Sequence, residues 1–240
     1  MIASLDRSSL GTGTTIRAVA ATARSVVPAG LLCRTALAVC QARHMTRTQY
    51  YTAMSIDGFI ADPDNSLDWL LALPRSSTRS ARFTAFFAEV GAMVMGSTTY
   101  QWILDHEVLL SDPERWHQDY GHTPWWVFTH RDLPQVPGAG ITFVRGDPGV
   151  VHPQMLAAAR GNNIWLVGGG DLVGQFVDRG LLDDVLLGVA PVFLGGGAPL
   201  LARRITQHLR LTGVERDDEF VLLSYVLDEH NRLLTADRSA

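Results

Sequence analysis

Two stretches of this chain set glycine where an apolar run meets a helical pattern, and the chemistry this offers belongs to the backbone. In one, Ile164-Trp165-Leu166-Val167 reads as a buried strand, Gly168-Gly169-Gly170 follows without a break, and Asp171 opens a helix with Leu172, Val173, Phe176 and Val177 on one face. In the other, Val94-Met95 runs into Gly96, and Ser97, Thr98 and Thr99 follow with hydroxyls that can cap a helix. A strand that turns through glycine into a helix presents bare N–H groups at the positive end of a helix dipole, a setting that suits phosphate. Glycine also lets a ligand approach the main chain where any side chain would clash. A single turn of this kind reads equally well as a plain connection. Two in one domain point to a dinucleotide, with one turn for each end of a pyrophosphate.

Side chains add a second layer. Thr129-His130-Arg131 follows the apolar run from Trp125 to Phe128, placing cations where a ribose 2′-phosphate could be met, and Arg145 ends the next run in the same way. Solvated surface charge is the plain alternative. Asp57, in Met54-Ser55-Ile56-Asp57-Gly58-Phe59, has apolar residues on both sides. Its carboxylate is expected to be partly buried and able to hold an N–H–C=N ring edge or relay a proton, an Asx turn being the alternative. Asp68 is the second acid in this region.

Several chemistries are excluded. All 20 basic residues are arginine, so neither a lysine Schiff base nor a phosphate-binding P-loop lysine is available. Gly168, Gly170 and Gly174 are spaced one residue too long for the dinucleotide fingerprint of a Rossmann fold. There is no G-x-S-x-G nucleophile and no histidine pairing suited to a metal. Cys33 and Cys40 provide neither a disulfide framework nor a zinc site, which favours a cytoplasmic compartment. A net charge of −4 gives no reason to expect nucleic acid or membrane as a partner.

The elements that position these groups alternate. Strands are expected at Thr48 to Met54, Ala92 to Met95, Trp125 to Thr129, Ile141 to Arg145, Ile164 to Val167 and Asp184 to Ala190. Helices are expected at Arg79 to Val90, Thr98 to Leu104, His152 to Arg160 and from Asp171, with a short one carrying Leu67, Trp69, Leu70 and Leu71. Leu209 to Glu215 and Phe220 to Asp228 read as an antiparallel hairpin. The stretch from Asp105 to Pro124, with His106, His117 and His122, reads as a polar, insertion-like loop. Residues 1–46 hold no aromatic and one acid, Asp6, against five arginines, and read as a poorly structured extension. The domain is expected over 47–230, with a tail at 231–240.

Taken together, Met54-Ser55-Ile56-Asp57-Gly58-Phe59-Ile60-Ala61, Met95-Gly96-Ser97-Thr98-Thr99-Tyr100 and the stretch from Val167 through Asp183-Asp184 to Leu200 resemble the dihydrofolate-reductase-like superfamily. The similarity lies with the branch of the C-terminal reductase domain of bacterial riboflavin biosynthesis deaminase-reductase proteins, and it covers about residues 47–228. It implies an α/β fold: a mixed, mostly parallel sheet with flanking helices and a C-terminal antiparallel hairpin. It also implies NADPH, a small-molecule substrate and a homodimer. In such a site the main chain at Ala53 would hold the carboxamide and Ile60 would pack near the nicotinamide ring. Gly96, Ser97, Thr98 and Thr99 would flank the pyrophosphate from one side; Val167, Gly168, Gly169, Gly170, Asp171 and Leu172 would do so from the other. Thr129, His130 and Arg131 would lie near the 2′-phosphate, and the Gly168–Gly169 peptide would be cis.

Residues 1–46 hold no H-x-E or C-x-x-C pattern and so do not match the zinc deaminase domain that such proteins carry upstream. The helix from Arg79 has no acid before Glu89, which leaves Asp57 or Asp68 to touch substrate, Asp57 being the one expected to do so. The expected function is an NADPH-dependent reductase passing hydride to a C=N or C=O of a pterin-like or ribosylamino-pyrimidine-like substrate. The alternative is a catalytically silent nucleotide- or pterin-binding module on the same fold. NADH in place of NADPH turns on His130 and Arg131.

Overall fold

Apolar runs flanked by helices are what strands buried on both faces look like, and here they join one sheet. The computed structural model describes residues 45–74, 76–107 and 109–227. Along them run β1 (Thr48–Ser55), β2 (Phe59–Ala61), α1 (Asp68–Leu71), α2 (Ser77–Ala88), β3 (Val90–Gly96), α3 (Ser97–Glu107), α4 (Pro113–Tyr120) and β4 (Trp125–Phe128). These are followed by β5 (Ile141–Val144), α5 (Pro148–Ala159), β6 (Asn163–Gly168), α6 (Gly170–Asp178), β7 (Asp184–Ala190), β8 (Ala198–Pro199), β9 (Leu209–Asp217) and β10 (Phe220–Leu227). The expected extension and tail lie outside the described residues, apart from Met45 and Thr46. Among the described residues no helix is long and apolar enough to cross a membrane.

The sheet has eight strands in the order β5-β4-β3-β6-β1-β7-β10-β9. All pairings from β5 to β7 are parallel, and β7-β10-β9 is antiparallel. This is the mixed, mostly parallel sheet with a C-terminal hairpin that the sequence leads one to expect. β2 and β8 form a separate two-stranded ribbon.

Alternation along each strand sorts the core into two layers. Met93, Met95, Trp125, Val127 and Trp165 face α3 and α4 through Tyr100, Ile103, Leu104 and Trp116. Ala92, Val94, Trp126, Ile164 and Leu166 face α5 and α6 through Met155, Leu172, Val173 and Phe176. Every residue of β6 is buried, as its central place requires.

Element ends move where a cap fixes them. α2 begins two residues before the expected Arg79 because Ser76 caps it, its Oγ accepting from Arg79 N at 3.3 Å. α5 begins at Pro148 rather than His152, since the Asp147 side chain accepts from Gly149 N at 2.8 Å and proline suits the first helical position. The larger correction concerns Asp105 to Pro124. Instead of a polar insertion, part of this stretch is α4, whose Trp116 and Tyr120 are fully buried one turn apart, with ring centroids each 5.0 Å from Trp125. The polar residues between them face outward and mask the pattern. Trp116→Ala should therefore destabilise the chain by about 3–5 kcal/mol, the usual cost of emptying a buried tryptophan site. Denaturant unfolding checks this, and a loss below about 1 kcal/mol would return α4 to the role of a surface insertion.

Candidate functional site

Because β3 and β6 are parallel neighbours with Met95 opposite Gly168, their two glycine turns leave the sheet side by side at its carboxyl edge. A Cβ built on Gly96 would lie 3.7 Å from Gly169 N and 3.8 Å from Gly168 O. The three glycines of the triplet serve different ends. Gly168 has φ +133°, outside the range of L side chains, and its bond to Gly169 is cis, as the resemblance implies. At Gly170 the backbone of β8 crosses so closely that a Cβ would meet Pro199 O at 2.6 Å and Leu200 O at 2.7 Å. Gly169 has an ordinary φ of −79° and a Cβ there would meet nothing within 4 Å: its surface looks into open space. It is also the N-cap of α6, with no side chain capping the helix. The first-turn N–H groups of α6 thus lack the side-chain acceptor that helix starts usually recruit.

The open space is a cavity of about 480 Å³ across the carboxyl ends of β1, β3, β4, β5 and β6, the place where parallel α/β sheets receive ligands. It brings together Ala53, Ile60, Gly96, Ser97, Thr98, Thr99, Thr129, His130, Val167, Gly168, Gly169, Gly170, Asp171 and Leu172. Two expected residues are not in its wall, Asp57 and Arg131. The side chain of Arg131 is exposed; its backbone closes a small turn in which Thr129 Oγ1 accepts from Arg131 N at 2.9 Å and donates to Arg131 O at 3.0 Å. Arg145 is held by Asp132 at 2.9 Å on the surface.

The walls also include residues that sequence reasoning passed over, notably Asn65, Leu67, Leu70, Trp102 and Gln175. Trp102 had a legible signal: it stands one helical turn after Thr98 and so shares its face of α3. The two sheet layers divide the cavity. Trp102 packs against the layer of Tyr100 and Trp165, and Leu70 packs with Ala53, whereas Leu172 belongs to the opposite layer. The glycine turns lie between these two halves.

On the α6 side the electrostatics centre on Arg203. Its guanidinium pairs with Asp171, and with Asp178 at 2.7 Å. The Arg203 contact, with Gln175 second, holds the Asp171 carboxyl below the usual carboxylate range, although Asp171 is largely solvent-exposed. The effect is to neutralise an acid in the first turn of α6, beside the place where an anion would sit. Gly174 makes this pairing sterically possible, because a Cβ there would lie 2.6 Å from Arg203 Cδ. Past His130, Gly146 and Gln175 the cavity adjoins a second hollow, where Arg179 and Arg203 face Asp147 and Asp178. Arg179 and Arg203 line that second hollow, and Arg131 lines neither of the two.

Comparison with other proteins places this geometry in a family. The family model of the RibD C-terminal domain matches residues 108–223. YwjB of Bacillus subtilis (strain 168), an uncharacterised protein, is 30% identical over 181 residues, covering 75% of this chain and 97% of YwjB. The chain belongs to the RibD C-terminal domain family. YyaP of the same organism, also uncharacterised, is 28% identical over 152 residues, covering 62% of this chain and 76% of YyaP. Among solved structures, a Shewanella sp. PV-4 protein whose name assigns it to riboflavin biosynthesis superposes with TM-score 0.64 at 24% identity, over 77% of this chain and 100% of that one. A pyrimidine reductase-like protein of Corynebacterium diphtheriae superposes with TM-score 0.55 at 14% identity, over 77% of this chain and 92% of that one. At these identities the superpositions establish the fold.

In this RibD-type domain Asp57 works away from the cavity. The sequence led us to expect a partly buried carboxylate; it is exposed, and it accepts from Ser55 Oγ at 2.6 Å, from Leu194 N at 3.1 Å and from Gly195 N at 2.7 Å. It thus ties the turn after β1 to the second glycine triplet. Asp68 is likewise exposed and outside the wall. The Ser55 hydrogen bond, followed by those from Gly195 and Leu194, holds the Asp57 carboxyl below its ordinary value. A carboxyl lowered on folding stabilises the native state above its unfolded pKa and loses that contribution as pH falls through the folded one. Asp57→Asn should therefore lower the thermal midpoint at neutral pH, and the gap from wild type should close as pH drops below the ordinary carboxylate range. Melting curves across pH test this, and a gap independent of pH would refute it.

Proposed function

We propose that this chain is an NADPH-dependent reductase acting on a C=N or C=O of a small ring compound. One observation carries the reading: two strand–glycine–helix turns stand side by side at the floor of one cavity, with bare backbone toward the open space at Gly169. The residues present fit a dinucleotide. The turns at Gly96–Thr99 and Gly168–Asp171 offer main-chain N–H groups and hydroxyls to a pyrophosphate, from two helix starts at once. His130 and Arg203 supply the basic end for adenosine phosphate, with Arg203 exchanging part of its contact with Asp178 for the phosphate. Ala53 and Ile60 bound the far end and would hold the nicotinamide ring with apolar side chains and main chain.

When bound, NADPH would supply a hydride to an acceptor lying on the Ala53 side. The chain's own part is to hold both rings in contact and to exclude water from the space between them. Among the described residues no carboxylic acid lines the half of the cavity bounded by Ala53, Leu70 and Trp102. In this reading the substrate's proton comes from water, and Asp57 serves to position the loop beside the ring.

Titration of the purified chain with NADPH, followed by tryptophan fluorescence, tests the reading, since Trp102 lines the cavity. Saturable quenching is expected. Arg203→Ala should weaken NADPH by about 10-fold, or ~1.4 kcal/mol, and NADH by much less. No quenching at high micromolar cofactor contradicts the reading, and tight binding with no oxidation of NADPH by any acceptor would favour a silent binding module.

A further inference from the structure

Between β8 and β9 the chain from Leu200 to His208 belongs to no helix or strand. Leu201, Arg203, Ile205 and Gln207 are half-buried, while Ala202, Arg204, Thr206 and His208 are exposed, the alternation of a strap laid on a surface. Among the described residues its main chain makes no hydrogen bond to other main chain from Leu201 to His208. Side chains hold it instead. Arg203 grips Asp171 and Asp178, and Leu201 and Ile205 pack on the layer of Val173 and Phe176.

Beside the strap lies an apolar cavity of about 220 Å³. Val185 and Leu187 of β7 and Tyr225 of β10 form its sheet side, Val177 of α6 a flank, and Leu201 and Ile205 its strap side. An α-helix laid here would fill a depth of ~10 Å, and a single extended segment fills less. None of the lining side chains is charged. The polar ones are two tyrosines and Gln207, and the Tyr50 hydroxyl already donates to Leu200 O at 3.4 Å. A buried water needs about two to four polar partners, so these walls suit it poorly.

We infer that this cavity is a binding site for a small, uncharged, largely hydrocarbon molecule, and that its occupant acts on the cofactor cavity through the strap and α6. Protein interiors leave few voids larger than a water molecule, and an apolar cavity of ~150 Å³ can hold benzene. This one has room for a ring with a short alkyl group. A carboxylate or phosphate would lose its hydration here with no charged partner to replace it. Both bounding elements serve two cavities. α6 sets Leu172 and Gln175 in the wall of the cofactor cavity and Val173 and Val177 in this one, and the strap sets Ala202 in the first and Leu201 in the second. The start of the strap also passes the glycine turn, where a Cβ on Gly170 would meet Leu200 O at 2.7 Å. An occupant against Leu201 and Ile205 holds Ala202 and Arg203 in place, so that the cofactor meets a wall already ordered. The site stands apart from the reductase reading above; the link to the cofactor rests on it.

Calorimetric titration of the full chain with toluene and with benzoate tests the site. Toluene should bind saturably with Kd below about 1 mM, and benzoate at least about 10-fold more weakly. Ile205→Trp, which fills the space from the strap, should weaken toluene by about 10-fold or more in a chain that still melts cooperatively. Crystals of the wild type under xenon pressure locate the site without a substitution, and xenon is expected between β7 and the strap. Saturating toluene should tighten NADPH by about threefold, and NADPH should tighten toluene by the same factor. Toluene that does not saturate, benzoate bound as tightly, toluene affinity unchanged in folded Ile205→Trp, or xenon absent from this cavity overturns the site. Toluene bound with NADPH affinity unchanged or weakened overturns the link alone. Failure to bind NADPH with or without toluene overturns the link together with the reductase reading, and toluene and xenon still decide the site.

Discussion

Gly169→Leu should reduce NADPH affinity by about 100-fold or more, ~2.7 kcal/mol, in a chain that still folds. Both halves of this expectation come from the same geometry. Gly169 has φ −79° and ψ 179°, backbone that any residue adopts, and a Cβ there meets no atom within 4 Å. The protein therefore has room for the new side chain. The space it would fill is the cavity floor between the two glycine turns, where the pyrophosphate would need to approach the main chain. A leucine would occupy that space and cover the N–H groups at the start of α6. Calorimetric titration with NADPH, with circular dichroism and a melting curve to establish folding, reads the effect. Affinity within about threefold of wild type, in a folded variant, would show that the triplet is only a connection.

Gly197→Ala should cost about 3 kcal/mol or more in stability and loosen the site as well. Gly197 has φ +128°, which alone is strained for alanine. Its Cβ would also lie 2.1 Å from Ala61 O and 2.8 Å from Asp62 C, atoms of another loop's backbone that cannot swing aside as a flexible side chain could. That contact joins the second glycine triplet to the segment after β1. It is reinforced by Leu200 N donating to Gly58 O at 2.8 Å, by Ile56 N donating to Val192 O at 2.8 Å, and by the Asp57 carboxylate on Leu194 and Gly195. Ile60, Ala61, Ala198 and Pro199 on these two segments line the cavity, so a shift here should weaken cofactor binding too. Gly195→Ala is the control: its φ is +71°, but its Cβ would meet nothing within 4 Å, and the loss should be only about 1–2 kcal/mol. Chemical denaturation separates the two, and equal losses would mean that close packing against Ala61 is not what Gly197 provides.

What could be read from the sequence was what lies close together along it. Each glycine turn is a strand, a glycine and a helix start in succession, so composition and period reveal it, and the expected cavity residues there assemble as anticipated. The parallel sheet and the terminal hairpin were legible for the same reason. What could not be read depends on partners far along the chain. Asp57 has apolar neighbours in sequence, which suggested burial, but its partners are the amides of Leu194 and Gly195, 137 and 138 positions away, and these make it a clamp on the surface. Arg203 reaches Asp171 across 32 positions, in a stretch with no pattern of its own. Arg131 looked suited to the 2′-phosphate because it follows a strand; it is exposed and is not among the residues of the cavity wall. Asn65, Leu67 and Leu70 join the site through the fold of the segment after β2, which no local period discloses.

A crystal structure of the protein grown with NADPH tests the central claim most directly. The account predicts the pyrophosphate between the Gly96–Thr99 and Gly168–Asp171 turns, the adenosine phosphate toward His130 and Arg203, and the nicotinamide against Ala53 and Ile60. Crystals showing NADPH away from these turns, or none bound at saturating cofactor, would contradict it.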